Sequence, residues 1–289
     1  MIRRPPRSTL FPYTTSSDLL VLSGTVLNIR KYEGESHLNL QFIIDEFSSG
    51  DTTKAGWLVD IETADLQDFR FSYVDENRDS TNRLMDFKNL KISSFTAMLH
   101  DVKLLNDTIW AQIQSLSLKE QSGFVIESLC GSIKSSPLAL EAKDLMLATP
   151  LSTVNGQLNF DYTGYGDFQD FIDSIQIRAE FKDTKVNLKD LAYFVPAFVG
   201  LEDSVTFNGA ISGTLSKLKG KNIDLTYGTD TRFRGNLSLT GLPYFEETFI
   251  RFRVKEFSTS QRDIAKLPVP PFRSEERRVG KECRSRWSP

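Results

Sequence analysis

Asp173-Ser174-Ile175-Gln176-Ile177-Arg178-Ala179-Glu180-Phe181-Lys182 carries an apolar residue at every second position from Ile175 to Phe181. A β-strand points successive side chains to opposite faces, so this stretch makes a strand with one apolar and one polar face. A helix would scatter the same residues around its circumference. The period of two recurs on both sides. Upstream it appears in Leu38, Leu40 and Phe42, in Trp57, Val59 and Ile61, in Phe69, Phe71 and Tyr73, and in Ile109, Ala111 and Ile113. Leu116 with Leu118, Leu138 with Leu140 and Ala142, and Leu158 with Phe160 and Tyr162 continue it. Downstream come Ile223, Leu225 and Tyr227, then Leu237 and Leu239, then Ile250, Phe252 and Val254.

These segments recur at intervals of roughly 10–15 residues and are separated by turn signals. Ser48-Ser49-Gly50-Asp51, Gln121-Ser122-Gly123 and Thr163-Gly164 are among them. Few segments are apolar on both faces, which argues against a parallel sheet sandwiched by helices. The pattern is that of an antiparallel meander. A loose motif also repeats, as Lys88-Asn89-Leu90, Lys143-Asp144-Leu145 and Lys221-Asn222-Ile223. Each copy reads as a turn followed by the start of a strand. Helix is scarce. Asn187–Val195 is expected to make two turns, capped by Asn187 and stopped by Pro196, and Asp167–Ile172 another short turn.

The two ends read differently. Met1–Thr15 is a frame translation of a widely used sequencing adapter, and Ser16–Leu19 continues it after a one-base shift. Arg273–Pro289 is a translation of the reverse complement of the same DNA. Residues 1–19 and 273–289 are therefore expected to be artefact, loosely packed and without function, and 20–272 to be an internal piece of a longer protein. The ends carry three and six of the basic residues, and one and three of the acidic. Without them Lys+Arg falls from 35 to 26 and Asp+Glu from 38 to 34, so the net charge moves from −3 to about −8. An acidic chain is a poor partner for nucleic acid. Cys283 goes with the ends, which leaves Cys130 alone, with no internal disulfide and no thiolate metal cluster. Its expected role is that of a small buried apolar residue.

Catalytic signatures are missing. His37 and His100 stand isolated in strand-like stretches, and neither a phosphate-binding glycine loop nor Gly-x-Ser-x-Gly occurs. Gly209-Ala210-Ile211-Ser212-Gly213 suits a strand that another backbone or a ligand approaches closely. The carboxylates cluster in turns, as solvated residues do. No catalytic residue, cofactor or metal ligand is assigned, and the chain is expected not to be an enzyme.

The physical problem posed by the sequence is coverage. Many short strands each carry one apolar face, 21 phenylalanines add to it, and little helix is present to cover it. Such a face is covered by a second sheet, by curling on itself, or by a ligand. The expected fold is all-β, with repetitive antiparallel strands curled into an elongated open groove and few short helices. The candidate groove residues are Leu38, Leu40, Phe42, Val59, Ile61, Phe69, Phe71, Leu158, Phe160, Ile175, Ile177, Phe181, Ile223, Leu225, Leu237, Leu239, Ile250 and Phe252. Which strand face lines the groove is left open, as is an ordinary core facing a second sheet.

The order of several stretches resembles a known family. Asp190-Leu191-Ala192-Tyr193-Phe194-Val195-Pro196 precedes Val205-Thr206-Phe207-Asn208-Gly209-Ala210-Ile211-Ser212-Gly213-Thr214-Leu215. Gly228-Thr229-Asp230-Thr231-Arg232-Phe233-Arg234-Gly235 and Leu239-Thr240-Gly241-Leu242-Pro243-Tyr244-Phe245 follow. Upstream, Asp86-Phe87-Lys88-Asn89-Leu90 and Leu118-Lys119-Glu120-Gln121-Ser122-Gly123-Phe124 fit the same order. Over most of 20–272 this is similar to the TamB-type translocation and assembly proteins of the AsmA-like superfamily, in the branch of Bacteroidetes-type bacteria. The resemblance implies a long periplasmic protein anchored in the inner membrane by an N-terminal helix. It implies a β-groove that shields phospholipid acyl chains, and a role in outer-membrane biogenesis with an outer-membrane barrel partner. The anchor and the partner-binding region are expected outside this segment. The competing expectations are a structural or adhesive β-module of the cell envelope and a carbohydrate-active β-domain.

Overall fold

Each polar break in the alternation either turns the chain back or bends a strand, and the two outcomes together build one sheet. The computed structural model describes residues 14–41, 58–77, 85–195, 198–242, 244 and 247–266. β1 (Thr14–Ser23) and β2 (Val26–Lys31) are followed by β3 (Leu58–Asp75), β4 (Asn89–Leu105), β5 (Thr108–Glu120), β6 (Val125–Ile126) and β7 (Ser128–Ser135). β8 (Ala139–Ala148) and β9 (Thr153–Asp161) lead into a 3-10 helix (Tyr165–Asp170) and α1 (Phe171–Ser174). β10 (Gln176–Asn187) is followed by α2 (Leu188–Leu191). β11 (Ser204–Thr214), β12 (Lys217–Tyr227), β13 (Thr231–Thr240), β14 (Phe249–Ser258) and α3 (Gln261–Lys266) complete the order.

Among the described residues all of the strands join one sheet of 14, in the order β1-β3-β4-β5-β7-β8-β9-β10-β11-β12-β13-β14, with β2 also on β3 and β6 on β5. The sheet is open, with β1 and β2 at one edge and β14 at the other. From β3 onward the pairing is antiparallel, as the turn signals imply. The first edge departs from that expectation, because β1 and β2 both run parallel to β3. Thr14–Leu19, expected to be loose, thus lie in a strand. An unpaired sheet edge offers backbone groups to any extended segment regardless of its side chains. Leu19 and Val21 remain more than half exposed there.

Of the three copies of the Asn/Asp motif, Lys88-Asn89-Leu90 is a turn leading into β4 as expected, and the other two are corrected. Asp144 and Asn222 are not in turns but in mid-strand, at φ 51° and 50°. Asp68, Ser94, Asp101 and Asp183 adopt the same left-handed conformation within strands. Each of these six falls where the ladder shifts register. They are β-bulges, which bend a strand and increase its twist. Asp and Asn tolerate the left-handed region better than other non-glycine residues. A neighbouring glycine accommodates the bulge. A Cβ on Gly209 (φ 133°) would meet Ile223 Cδ1 at 2.8 Å and the Asn222 carbonyl at 2.9 Å. The small residue expected at a close approach is therefore set against backbone.

The strand expected over Leu38, Leu40 and Phe42 is not formed at its described residues, Leu38 and Leu40. Leu38 makes a single bridge to Lys31, and Leu40 lies in a turn. The Asn39 side chain explains this. It accepts from Arg30 N at 2.9 Å and donates to the Asn28 carbonyl at 3.0 Å, taking ladder positions that a strand would need. Phe42 and Trp57 lie outside the described residues. The helix at Asn187 starts as expected, with Asn187 accepting from Lys189 N, but α2 is one turn rather than two. Cys130 is half-buried rather than buried, and its thiol points to the Met146 carbonyl at 3.8 Å.

Candidate functional site

Cross-strand partners share a face, so the registers decide which side chains lie together. One unbroken row runs Val59, Leu104, Ile109, Ser135, Leu140, Phe160, Ile177, Gly213, Leu218, Leu239, Ile250, from β3 to β14. The next row on that face runs Ala111, Ile133, Ala142, Leu158, Ala179, Ile211, Gly220, Leu237, Phe252. Beyond the bulges, Phe207, Leu225, Phe233 and Phe257 continue the same face. Bulges reset the alternation, yet they leave apolar residues on one side throughout. Apolar strand residues that are buried, such as Ala97, Ile177, Ile223, Tyr227 and Phe233, all belong to this face. In a single layer, burial of side chains that large on one side means that the sheet folds toward that side.

The second row is the shallowest part of the side-chain layer. Ala111, Ala142, Ala179 and Gly220 occupy alternate strands, between Ile133, Leu158, Ile211 and Leu237. From β5 to β14 this row crosses eight strand spacings, or about 38 Å at ~4.8 Å each. One acyl chain spans only ~15 Å, half of a bilayer's hydrocarbon core.

Two caps cover the ends of the strands. At one end, Tyr162, Ile175 and Ile177 form a buried cluster, with Phe160, Phe171 and Leu218 packed on it. Phe171 meets Phe160 edge-on at 5.5 Å, and Phe168 meets Tyr162 at 4.9 Å. At the other end, α2 and the residues after it cross from β10 toward β4 and β5. Asp190 is buried and accepts from Thr149 Oγ1 at 2.6 Å and Ser152 Oγ at 2.5 Å, which ties α2 to the β8–β9 turn. Tyr193 and Phe194 meet Phe124 edge-on at 5.5 and 5.2 Å, and Met85 N donates to the Tyr193 carbonyl at 2.8 Å.

α3 extends that cap. Asp263 accepts from Asp230 N, Thr231 N and Thr231 Oγ1 at 2.9–3.0 Å, and Lys266 pairs with Asp203 at 2.9 Å. The Asp230 backbone N–H, with the Thr231 hydroxyl and nearby N–H groups, holds the Asp263 carboxyl below its ordinary value against the effect of desolvation. Burial pushes the neighbouring Tyr227 phenol up to about 12, and Asp203 and Asp263 add to it. A carboxyl with a lowered folded pKa contributes stability above its unfolded value of about 3.9, and that contribution fades as pH falls through the folded value. Urea unfolding of Asp263→Asn is therefore expected to lose less stability than the parent chain between about pH 4 and pH 2. Superimposable pH profiles would contradict the linkage.

Apart from Leu38, Leu40 and Phe42, the candidate residues separate into three groups. Val59, Ile61, Phe69, Phe71, Leu158, Phe181, Leu225, Leu237 and Leu239 lie half-buried on the apolar face. Phe160, Ile175, Ile177 and Ile223 are covered, the first three by the α1 cap and Ile223 by its packing against Gly209 and Gly220. Ile250 and Phe252 are exposed on β14, and Phe252 meets Phe233 at 5.4 Å. Leu38 and Leu40 are off the ladder. Sequence reading passed over Phe95, Leu145, Phe207 and Phe233 as candidates. Phe95 and Leu145 directly follow left-handed Ser94 and Asp144, so a polar residue one position out of phase was the available signal.

The opposite face is charged and solvated. Its central row reads Asp60, Lys103, Trp110, Lys134, Glu141, Asn159, Arg178, Ser212, Lys219, Ser238, Arg251. Ion pairs join many of these strands, including Arg178–Asp161 at 2.7 Å and Arg234–Asp224 at 2.9 Å. Burial pushes the Asp224 carboxyl up, but Arg234 and Arg232 more than reverse this and leave it below its ordinary value. His100 lies between Thr63 Oγ1 at 3.2 Å and Gln114 Oε1 at 2.7 Å, a structural bridge between strands.

Among the described residues no group of three or more His, Cys, Asp or Glu side chains is placed to hold a metal, and no helix is long and apolar enough to cross a membrane. The fold and site define a class, an open single-layered β-sheet with one continuous apolar face capped at both strand ends. No protein-family model, curated protein or solved structure matches the chain.

Proposed function

We propose that this chain is a segment of a lipid-shielding envelope protein whose apolar face holds phospholipid acyl chains during transport to, or protein assembly in, the outer membrane. The observation that carries this reading is the apolar row from β3 to β14, interrupted only at Ser135 and Gly213. An ordinary core is a local patch sealed by a second layer, whereas this face extends with every added strand, and many of its larger members, such as Leu158, Phe181, Leu225 and Leu237, stay half-buried. The resemblance in motif order to the TamB-type proteins supports the same reading. On it, the segment works in the periplasm, the membrane anchor and the barrel-binding region belong to other parts of a longer protein, and no cofactor takes part.

The energetics fit carriage rather than chemistry. Each methylene exposed to water costs about 0.8 kcal/mol, so a chain of roughly 16 carbons costs on the order of 12 kcal/mol to carry bare through water. A shallow apolar row with water-exposed edges removes much of that cost and leaves the head group wet. Native mass spectrometry after incubation with phospholipid vesicles tests this. Retained phospholipid on the folded chain is the expected result, and a lipid-free spectrum at saturating vesicle concentration would refute the proposal.

A further inference from the structure

The charged face carries one apolar patch, made by Trp110 with Leu58 and Leu105, which pair across β3 and β4 and line the same hollow. In its central row of eleven residues, running Asp60 to Arg251, Trp110 is the only apolar side chain. It sits between Lys103 on β4 and Lys134 on β7. Strand aromatics elsewhere lie on the apolar face, apart from Phe249 on the edge strand. Trp110 forms part of the wall of an open hollow of about 630 Å³ that spans β4, β5, β7 and β8. That volume falls within the ~300–1,000 Å³ of small-ligand sites.

The chemistry around Trp110 narrows the ligand. Lys134 Nζ stands 6.0 Å from the indole centroid. Glu141 pairs with Lys134 at 3.8 Å and with Lys143 at 3.4 Å, and Asp60 pairs with Lys103 at 3.8 Å. Asp101 lines the hollow as well, so three lysines are set against three carboxylates and no excess of positive charge remains to hold a phosphate or another anion. The hollow offers instead a mixed set of donors and acceptors, with Gln112 and Ser132 among them, beside a flat aromatic surface. A neutral sugar has this complement. Its hydroxyls both donate and accept, and the C–H face of a pyranose ring stacks on indole.

We propose that the Trp110 hollow is a carbohydrate-binding site for a short neutral oligosaccharide, on the face of the sheet opposite the apolar one. Trp110 supplies the stacking platform, and Glu141, Lys134 and Gln112 bond the hydroxyls. The site is separate from the apolar face and does not depend on its occupancy.

Saturation-transfer NMR on the unmodified chain, with maltotriose, cellotriose and tri-N-acetylchitotriose as probes, tests the proposal. At least one is expected to receive saturation through its ring protons, with an apparent Kd in the ~0.1–10 mM range of a shallow single-platform site. Trp110→Ala should weaken that binding at least tenfold and Trp110→Phe much less. Glu141→Gln should weaken it while leaving the circular dichroism spectrum unchanged. No transfer to any of the three sugars, or equal transfer in Trp110→Ala, would overturn the assignment. In that event Trp110 serves only as the partner of Lys134.

Discussion

Replacing Gly209 by valine is expected to lower the unfolding free energy by about 3 kcal/mol, summing left-handed backbone strain and overpacking of ~1–3 kcal/mol each. At φ 133° a β-branched residue is strained whatever space it finds, and its Cβ would press on Ile223 and the Asn222 carbonyl. Ile223 is 2% exposed, so it has little freedom to yield. The bulge at Asn222 and the glycine opposite it form one device that bends β12 against β11. Urea denaturation provides the check. The midpoint should fall with little change in slope, since the surface exposed on unfolding is the same. Gly209→Ala, lacking the branch, should cost roughly half as much. A valine variant within about 1 kcal/mol of the parent would mean that the bulge is not constrained by its neighbour.

The second large effect concerns the apolar face. Phe181→Arg combined with Phe207→Arg is expected to reduce retained phospholipid at least tenfold in native mass spectrometry. The two rings meet edge-on at 5.6 Å across β10 and β11 and are half-buried, so arginine has room to enter without collapsing a sealed core. A guanidinium there carries its hydration onto a surface that otherwise offers none, and tenfold corresponds to only about 1.4 kcal/mol. Ile177 makes a poorer test. It is 7% exposed beneath the α1 cap, and a charge buried there would unfold the chain before it reported on lipid. Ser212→Arg, on the charged face, is the matched control and should leave lipid retention unchanged. Equal retention in the double variant would remove Phe181 and Phe207 from the site.

The strands were legible because alternation is a local signal. Ile175 to Phe181 and Ile250 to Val254 could each be placed on one face without reference to the rest of the chain. The caps were legible only as weak helices. Asn187 announced the start of α2, but nothing local to Tyr193 or Phe194 announces Phe124 and Met85 as their neighbours. Asp144 and Asn222 were misread because Asn and Asp favour left-handed backbone in turns and bulges alike. The difference is whether the ladder continues past them, which depends on the adjacent strand. The strand expected at Leu38 failed for a related reason, since the Asn39 side chain competes for β2 backbone groups. For the candidate site, the sequence marked which residues are apolar, but coverage is tertiary. Ile177 and Phe181 lie in one strand and look alike in sequence, yet the α1 cap buries Ile177 and leaves Phe181 half-exposed.

The parallel first edge was equally hidden. Alternation says how a strand faces, not which way its neighbour runs, and the backbone of β3 alone suffices to hold β1 and β2. No function follows from Thr14–Leu19 lying there.

Site-specific photo-crosslinking can read the two faces of the sheet separately. A photoreactive phenylalanine analogue at Phe181 or Leu237 reports on the apolar face, and the same analogue at Arg178 or Ser238 reports on the charged one. After incubation with phospholipid vesicles and irradiation, phospholipid adducts are expected at the first pair and none at the second. Adducts of equal yield from both faces, or none from Phe181 and Leu237, would contradict the lipid-shielding role.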